Sequence, residues 1–449
     1  MIFDRLIMKE LIGWKDRSSR KPLILRGARQ VGKTTIIKEF SKRYKYKILL
    51  NLEKAEDKRL FAEGAGVKQI VEALFLSNKI EVSKAADTLI FMDEIQESPE
   101  AIQLLRYFYE DYPEIHVIAA GSLLEFAIQE IKSFPVGRVE FLYLSPLNFE
   151  EFLLAINSEA AKQLKVVPVA PFAHQVLLDL FNLYTIIGGM PEVVDRYIQS
   201  ESITSLPRVY ESIWSTYKED VQKYGSSASG RKVIRHIIET AHLYIDQRIK
   251  FQHFGNSNYR SREVAEAMRS LNDAKIIQLI YPTTDIAPPV KPNLKKSPRL
   301  QYLDTGIVNH TLGIQAEMIR LKDLSKTYKG AIIPHILTQE LISLKNEIDT
   351  KPNFWVREKT QSSSEVDLVY TYDQKLIPIE IKSGPTGSLK SLHQFVDKSD
   401  HPYAVRIYGG AFKIEEAITP SKTKYTLMNL PYYCMTQIDA YLKYFISNY

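Results

Sequence analysis

Short apolar runs alternate with helically spaced stretches through the first third of the chain. Residues 22–25, 47–53, 88–92, 116–120 and 139–144 read as strands, since continuous apolar runs of this length suit strands buried on both faces. Between them, residues 33–44 carry Ile36, Ile37 and Phe40 at helical spacing, 55–85 is helical and charged, and 99–109 reads as a helix. Residues 1–20 predict an amphipathic helix and then a polar turn from Asp16 to Arg20. Strands separated by helices predict a parallel α/β sheet.

Beyond residue 147 the pattern changes. Helices are predicted at 149–164, 171–187, 191–200 and 203–224, with Gly188, Gly189 and Pro191 breaking the run as a hinge or an ordinary turn. A small, polar stretch at 224–230 predicts a boundary. Helices at 231–243 and 261–274 follow, then strands at 276–280 and 300–303 around a basic loop, the order of a winged helix. A helix at 331–347 leads into strands at 353–358, 365–370 and 376–382, a helix at 388–396 and a strand at 403–408. The expected division is 1–147 for the sheet domain, 148–224 for a helical lid, 225–320 for the winged-helix part and 321–449 for a second α/β domain.

Composition narrows the class. The 449 residues, 45% apolar and 25% charged, suit a soluble protein with several cores. One cysteine, Cys434, excludes internal disulfides and cysteine metal clusters, which fits a reducing cytoplasm. No signal peptide and no membrane-spanning apolar run is read, so no membrane partner is expected. A net charge of +6 permits a polyanionic partner without demanding one.

The strongest chemical signal lies between the first strand and its helix. Gly27, Gly32, Lys33 and Thr34 fill the fixed positions of G-x-x-x-x-G-K-[ST]. Gly27, Ala28, Arg29, Gln30, Val31, Gly32, Lys33, Thr34 and Thr35 are therefore the expected nucleotide-binding residues. Backbone N–H groups there close around a polyphosphate at a helix N-terminus, Lys33 reaches the β/γ-phosphates, and the Thr34 hydroxyl ligates Mg²⁺. Roughly sixty residues on, an apolar strand ends in Asp93-Glu94. This is the Walker B pattern: Asp93 holds Mg²⁺ through water and Glu94 orients or deprotonates the attacking water. Ser122, closing the next strand, has two readings, contact with the γ-phosphate or lytic water and a helix cap. Arg138 likewise reads as a transition-state arginine, acting within the chain or on a neighbouring copy, or as a surface residue.

Two further groups of residues carry chemistry. Lys291, Lys295, Lys296 and Arg299 put four cations in the basic loop, suited to nonspecific phosphate contact or simply solvated. On the tail's strands, Glu380 and Lys382 share a strand face, as do Glu365 and Asp367 on theirs. Asp367 and Glu380 suit one divalent cation, with Lys382 activating water and Glu340 assisting from the preceding helix. A surface salt bridge explains Glu380-x-Lys382 equally well.

The segment Arg26–Thr34, the Asp93-Glu94 strand, Gly121-Ser122, Gly137-Arg138 and Leu144–Phe152 resemble a family of prokaryotic AAA-type ATPases with a C-terminal domain of unknown function. Gly188–Glu192 and Leu303–Gly306 resemble its later signatures. The resemblance implies a P-loop ATPase core, a helical lid, a winged-helix element and a tail similar to PD-(D/E)xK nucleases. The expectation is an ATPase using ATP and Mg²⁺, with a second divalent metal in the tail, coupled to DNA binding or processing. The alternative is a nucleotide-regulated switch with an inactive tail; assembly into homo-oligomers, from the placement of Arg138, and an unidentified protein partner are separate expectations.

Overall fold

The computed structural model describes residues 1–449 except 62–63, 65, 123–133, 221–226, 322–323, 346–350, 358–363 and 383–386. Of the expected boundary stretch 224–230, residues 224–226 lie outside the described residues, and Ser227 caps the helix that starts at Ala228. The chain falls into two compact units: Met1–Pro146 with Asp273–Lys275 and Lys345–Asp349, and the remainder.

The first unit is built on five parallel strands: β1 (Leu23–Arg26), β2 (Tyr46–Asn51), β3 (Thr88–Asp93), β4 (His116–Ala120) and β5 (Glu140–Tyr143). Their order is β2-β3-β4-β1-β5. Every residue of β1, β3 and β4 is buried, whereas the edge strands β2 and β5 are only partly covered. The continuous apolar runs of the inner strands follow from that coverage on both faces. Helices Lys33–Ser41, Val67–Ser77 and Pro99–Asp111 make the crossovers. Inserting β4 between β1 and β3 brings the carboxyl ends of these three strands side by side, Phe91 facing Ile118 and Leu25 facing Ala120. In open α/β sheets that edge is where ligands bind.

The second unit opens with helices. A single helix over 149–164 is expected, but Asn157 divides it into Phe149–Ile156 and Ser158–Leu164. Its side chain accepts from Ala160 N, so it caps the second helix instead of continuing the first. Helices His174–Ile187, Pro191–Ser200, Pro207–Glu219, Ala228–Ala241 and Ser261–Asp273 follow. Then β6 (Ile277–Ile280) pairs antiparallel with β8 (Arg299–Tyr302). Between them, β7 (Pro282–Thr283) joins the edge of a seven-stranded mixed sheet. The other strands of that sheet are β9 (Asn353–Val356), β10 (Glu365–Tyr372), β11 (Lys375–Ile381), β12 (Tyr403–Tyr408), β13 (Lys413–Ile418) and β14 (Lys424–Pro431), in the order β13-β14-β12-β11-β10-β9-β7. The basic loop thus starts from a strand stitched into the C-terminal sheet and is not the tip of a free wing. Among the described residues no single helix is long and apolar enough to cross a membrane.

A buried polar hub ties the early helices of this unit to its later segments. Gly189 N donates to Asp304 Oδ2 at 2.7 Å, and a Cβ on Gly189 would lie 2.0 Å from Leu147 O. A Cβ on Gly306 would meet Ile187 O at the same 2.0 Å. Glu340, expected beside the tail's acids, belongs instead to this hub. Its Oε2 accepts from Phe149 N at 3.0 Å, and its Oε1 lies 2.6 Å from the Tyr184 hydroxyl. Helix Ile332–Ser343 is buried on nearly all sides, which turns Glu340 into the core.

The Tyr184 hydroxyl also lies 2.9 Å from Leu147 O. One hydroxyl hydrogen cannot serve both acceptors, an arrangement that favours a proton on Glu340. Burial pushes the Glu340 carboxyl up to about 8 from 4.5, against the Tyr184 and Phe149 hydrogen bonds and aided by Glu151 and Glu150. A carboxyl raised on folding binds its proton more tightly in the native state, so stability falls as pH climbs from about 4.5 to about 8. Asp304, raised to about 6 by burial, acts in the same direction over a lower range. Urea unfolding of Glu340→Gln is therefore expected to show a shallower loss of stability between pH 6 and 8 than the wild type. Parallel slopes would show that Glu340 is ionised in the fold.

Candidate nucleotide site

The loop after β1 turns on two glycines. Gly27 has φ +150° and its Cα faces Leu144 O so closely that a Cβ would sit 2.4 Å from it. Gly32, at φ +97°, starts the helix Lys33–Ser41 from a left-handed residue. Gln30 adopts φ 63° between them. Lys33 is buried, and its Nζ donates to Gly27 O at 3.0 Å and Ala28 O at 2.8 Å. Burial lowers its ammonium to about 8, against the pull of Glu94 and Asp93. A buried cation hydrogen-bonded to loop carbonyls beside a left-handed glycine suits an incoming polyphosphate, so the residues fit the group.

The strand order delivers the acids. Thr34 Oγ1 donates to Asp93 Oδ2 at 2.7 Å, which joins the first turn of the helix to the end of β3. Burial raises the Asp93 carboxyl, with the Thr34 hydrogen bond opposing. A hydroxyl and a carboxylate in contact at the phosphate loop form an oxygen donor pair of the hard type that Mg²⁺ takes. Glu94 sits in a left-handed conformation, φ 50°, and its Oε2 accepts from Gln96 Nε2 at 2.6 Å. Ser122 lies two residues beyond β4, which runs between β1 and β3; its hydroxyl is buried without a partner among the described residues.

Arg138 does not join these groups. Its Nε donates to Glu110 Oε1 at 2.9 Å and its guanidinium lies over Tyr109, leaving the side chain 44% exposed. Its partner there is a surface carboxylate of the same chain.

Two residues escape a reading by motif. Arg5, before the first helix, is buried and donates from Nη1 to Val31 O at 3.1 Å and from Nη2 to Ser145 O at 2.6 Å. Gln96 holds Glu94, and Gly121 leaves it room, since a Cβ there would lie 2.4 Å from Gln96 Oε1. The lone arginine in an amphipathic stretch is the only signal for Arg5, and it carries no spacing rule.

The tail's acids occupy a different environment in the second unit. Asp367 Oδ2 accepts from Ile381 N at 2.8 Å, and Glu380 Oε1 pairs with Lys382 Nζ at 2.7 Å. Burial, then the charge of Asp367, raises the Glu380 carboxyl. Arg299 is buried among Asp246, Glu365 and Asp367 and so is withdrawn from the basic loop's exposed cations. Lys291 and Lys295 are exposed and Lys296 is half-buried. Among the described residues no group of three or more His, Cys, Asp or Glu is placed to hold a metal ion.

Replacing Arg5 by alanine removes two charged hydrogen bonds, each typically worth about 1.5–3 kcal/mol. The expected result is a lower melting temperature and roughly tenfold weaker nucleotide binding by calorimetry, about 1.4 kcal/mol. Unaltered affinity would show that the loop keeps its shape without this brace.

Residues 19–153 match the family model of an AAA domain. Residues 178–318 and 329–433 match two domains of unknown function, DUF8612 and DUF4143. No curated protein matches the chain. Among solved structures, a Walker-type ATPase of Pyrococcus abyssi overlays with 13% identity and a TM-score of 0.45, covering 69% of this chain and 96% of that one. The Drosophila origin recognition complex bound to DNA overlays with 16% identity and a TM-score of 0.25, covering 58% and 65%. The loop, the paired acids and the AAA-domain match together support an ATPase of the AAA, Walker-motif type.

Proposed function

We propose that this chain hydrolyses ATP with Mg²⁺ and that its nucleotide state controls the second unit. The observation that carries the reading is the contact of Thr34 with Asp93 directly beside a buried Lys33. Lys33 would give up its loop carbonyls for β/γ-phosphate oxygens, and the loop amides would hold the remaining charge. Thr34 and Asp93 would hold the metal, which when bound screens phosphate charge during transfer. Glu94, steadied by Gln96, would take a proton from the attacking water. Ser122, whose buried hydroxyl has no partner among the described residues, would orient that water or the γ-phosphate. Arg138 would serve a neighbouring copy after exchanging its Glu110 partner.

Coupling to DNA would run through exposed Lys291 and Lys295 with Lys296, as a nonspecific, salt-dependent contact. A second reading is favoured by the burial of Arg299 among the tail's carboxylates. In it the tail cuts nothing, and the chain is a nucleotide-regulated switch for a protein or DNA partner.

Phosphate-release assays on purified protein test the core reading. Lys33→Ala is expected to lose nucleotide binding and turnover together. Glu94→Gln should retain ATP binding and lose turnover by about 10²–10⁴-fold. Wild-type turnover in either variant would overturn the assignment.

A further inference from the structure

Asp367 and Glu380 would need open carboxylate oxygens to hold a divalent cation. The structure offers a different cation. Arg299 extends from β8 into a pocket lined by Asp246, Gln301, Thr338, Phe354 and Asp367. Its Nε donates to Glu365 Oε1 at 2.9 Å, and its Nη2 also donates to that oxygen. Nη1 donates to Asp367 O at 3.1 Å and stands 3.5 Å from Asp246 Oδ1; Nη2 stands 3.4 Å from Asp367 Oδ1. The guanidinium lies 4.6 Å over the Phe354 ring, and Arg248 reaches Glu365 Oε2 at 3.6 Å from the other side.

Each carboxylate oxygen of Asp367 is therefore already engaged, one by Ile381 N and one by Arg299. Glu380 adds only Oε2, which has no partner among the described residues, because Oε1 is held by Lys382. A divalent ion there would have to share oxygens that Arg299, Ile381 and Lys382 already engage, or draw most of its ligands from water. A divalent ion beside a buried guanidinium would also meet strong repulsion in a weakly screened site.

We infer that Arg299 is the resident cation of this acidic site: its guanidinium stands where a metal would, fastens β8 and the Asp246 segment to β10, and makes the tail independent of divalent ions. This deepens the non-cleaving reading of the tail. The planar fork suits the task, since it satisfies three acidic side chains and a carbonyl at once. Taking the guanidinium away leaves three carboxylates facing one another, which a divalent ion can then neutralise.

The test uses the full chain carrying Asp93→Asn, without nucleotide, so that the first site contributes no metal response and ATP turnover does not enter. Equilibrium dialysis against Mn²⁺ is expected to find no bound ion, and melting temperatures in Mn²⁺ and in EDTA should agree. One equivalent of tightly bound Mn²⁺, or DNA cleavage in Mn²⁺, would overturn the inference. Adding Arg299→Met should lower the melting temperature by several degrees more than adding Arg248→Met, and Mn²⁺ should recover part of the loss. A folded Arg299→Met protein indifferent to Mn²⁺ would overturn the shared site. If that variant does not fold, the dialysis result still decides.

Discussion

A loop can turn its amide N–H groups toward a phosphate only if its carbonyls are received on the opposite side. In this protein that reception is explicit. Arg5 takes the carbonyl of Val31, the backbone at Leu144 closes against Gly27, and Lys33 takes the carbonyls of Gly27 and Ala28 while no phosphate draws it away. Left-handed Gly32 then aims the first helical turn so that Thr34 meets Asp93. The strand order serves the same requirement, because only with β4 between β1 and β3 do Ser122 and the paired acids end beside the loop. Preorganised donors of this sort spend no energy on rearrangement as charge builds up.

The first unit was largely legible in its sequence because its determinants are local. Buried parallel strands are continuous apolar runs, and the phosphate loop needs glycine where φ is positive. Lys33, Thr34, Asp93 and Glu94 follow from spacing alone. Arg5 and Gln96 were not legible, since their roles come from contacts made after folding: Arg5 reaches Ser145 across 140 positions. Asn157 shows the same limit at short range, where a cap competes with helix continuation that periodicity cannot weigh.

In the second unit, residue types told less than neighbours. Glu340 has the composition of a metal-site acid, yet helix Ile332–Ser343 is buried on nearly every side and delivers it to Tyr184 and Phe149. Arg299 sits in a run of cations that reads as a phosphate contact or a solvated loop, yet β8 is wholly buried and turns it inward to Glu365. Both cases share a cause: an ionisable residue on an otherwise apolar element must find a partner inside, and that partner is distant in sequence.

The close backbone approach at Gly189 and Gly306 has a consequence for how this molecule can be made and divided. At Gly306 segments more than a hundred positions apart meet backbone to backbone, and Gly189, Phe149 and Thr185 each find a hydrogen-bond partner among residues 304–340. During synthesis the early helices must wait for that later stretch before their core can close, so assembly is dominated by distant contacts and slow. Cutting the chain between residues 200 and 300 would part Gly189 and Phe149 from Asp304 and Glu340, dividing the second unit while leaving the five-stranded sheet of the first on one piece.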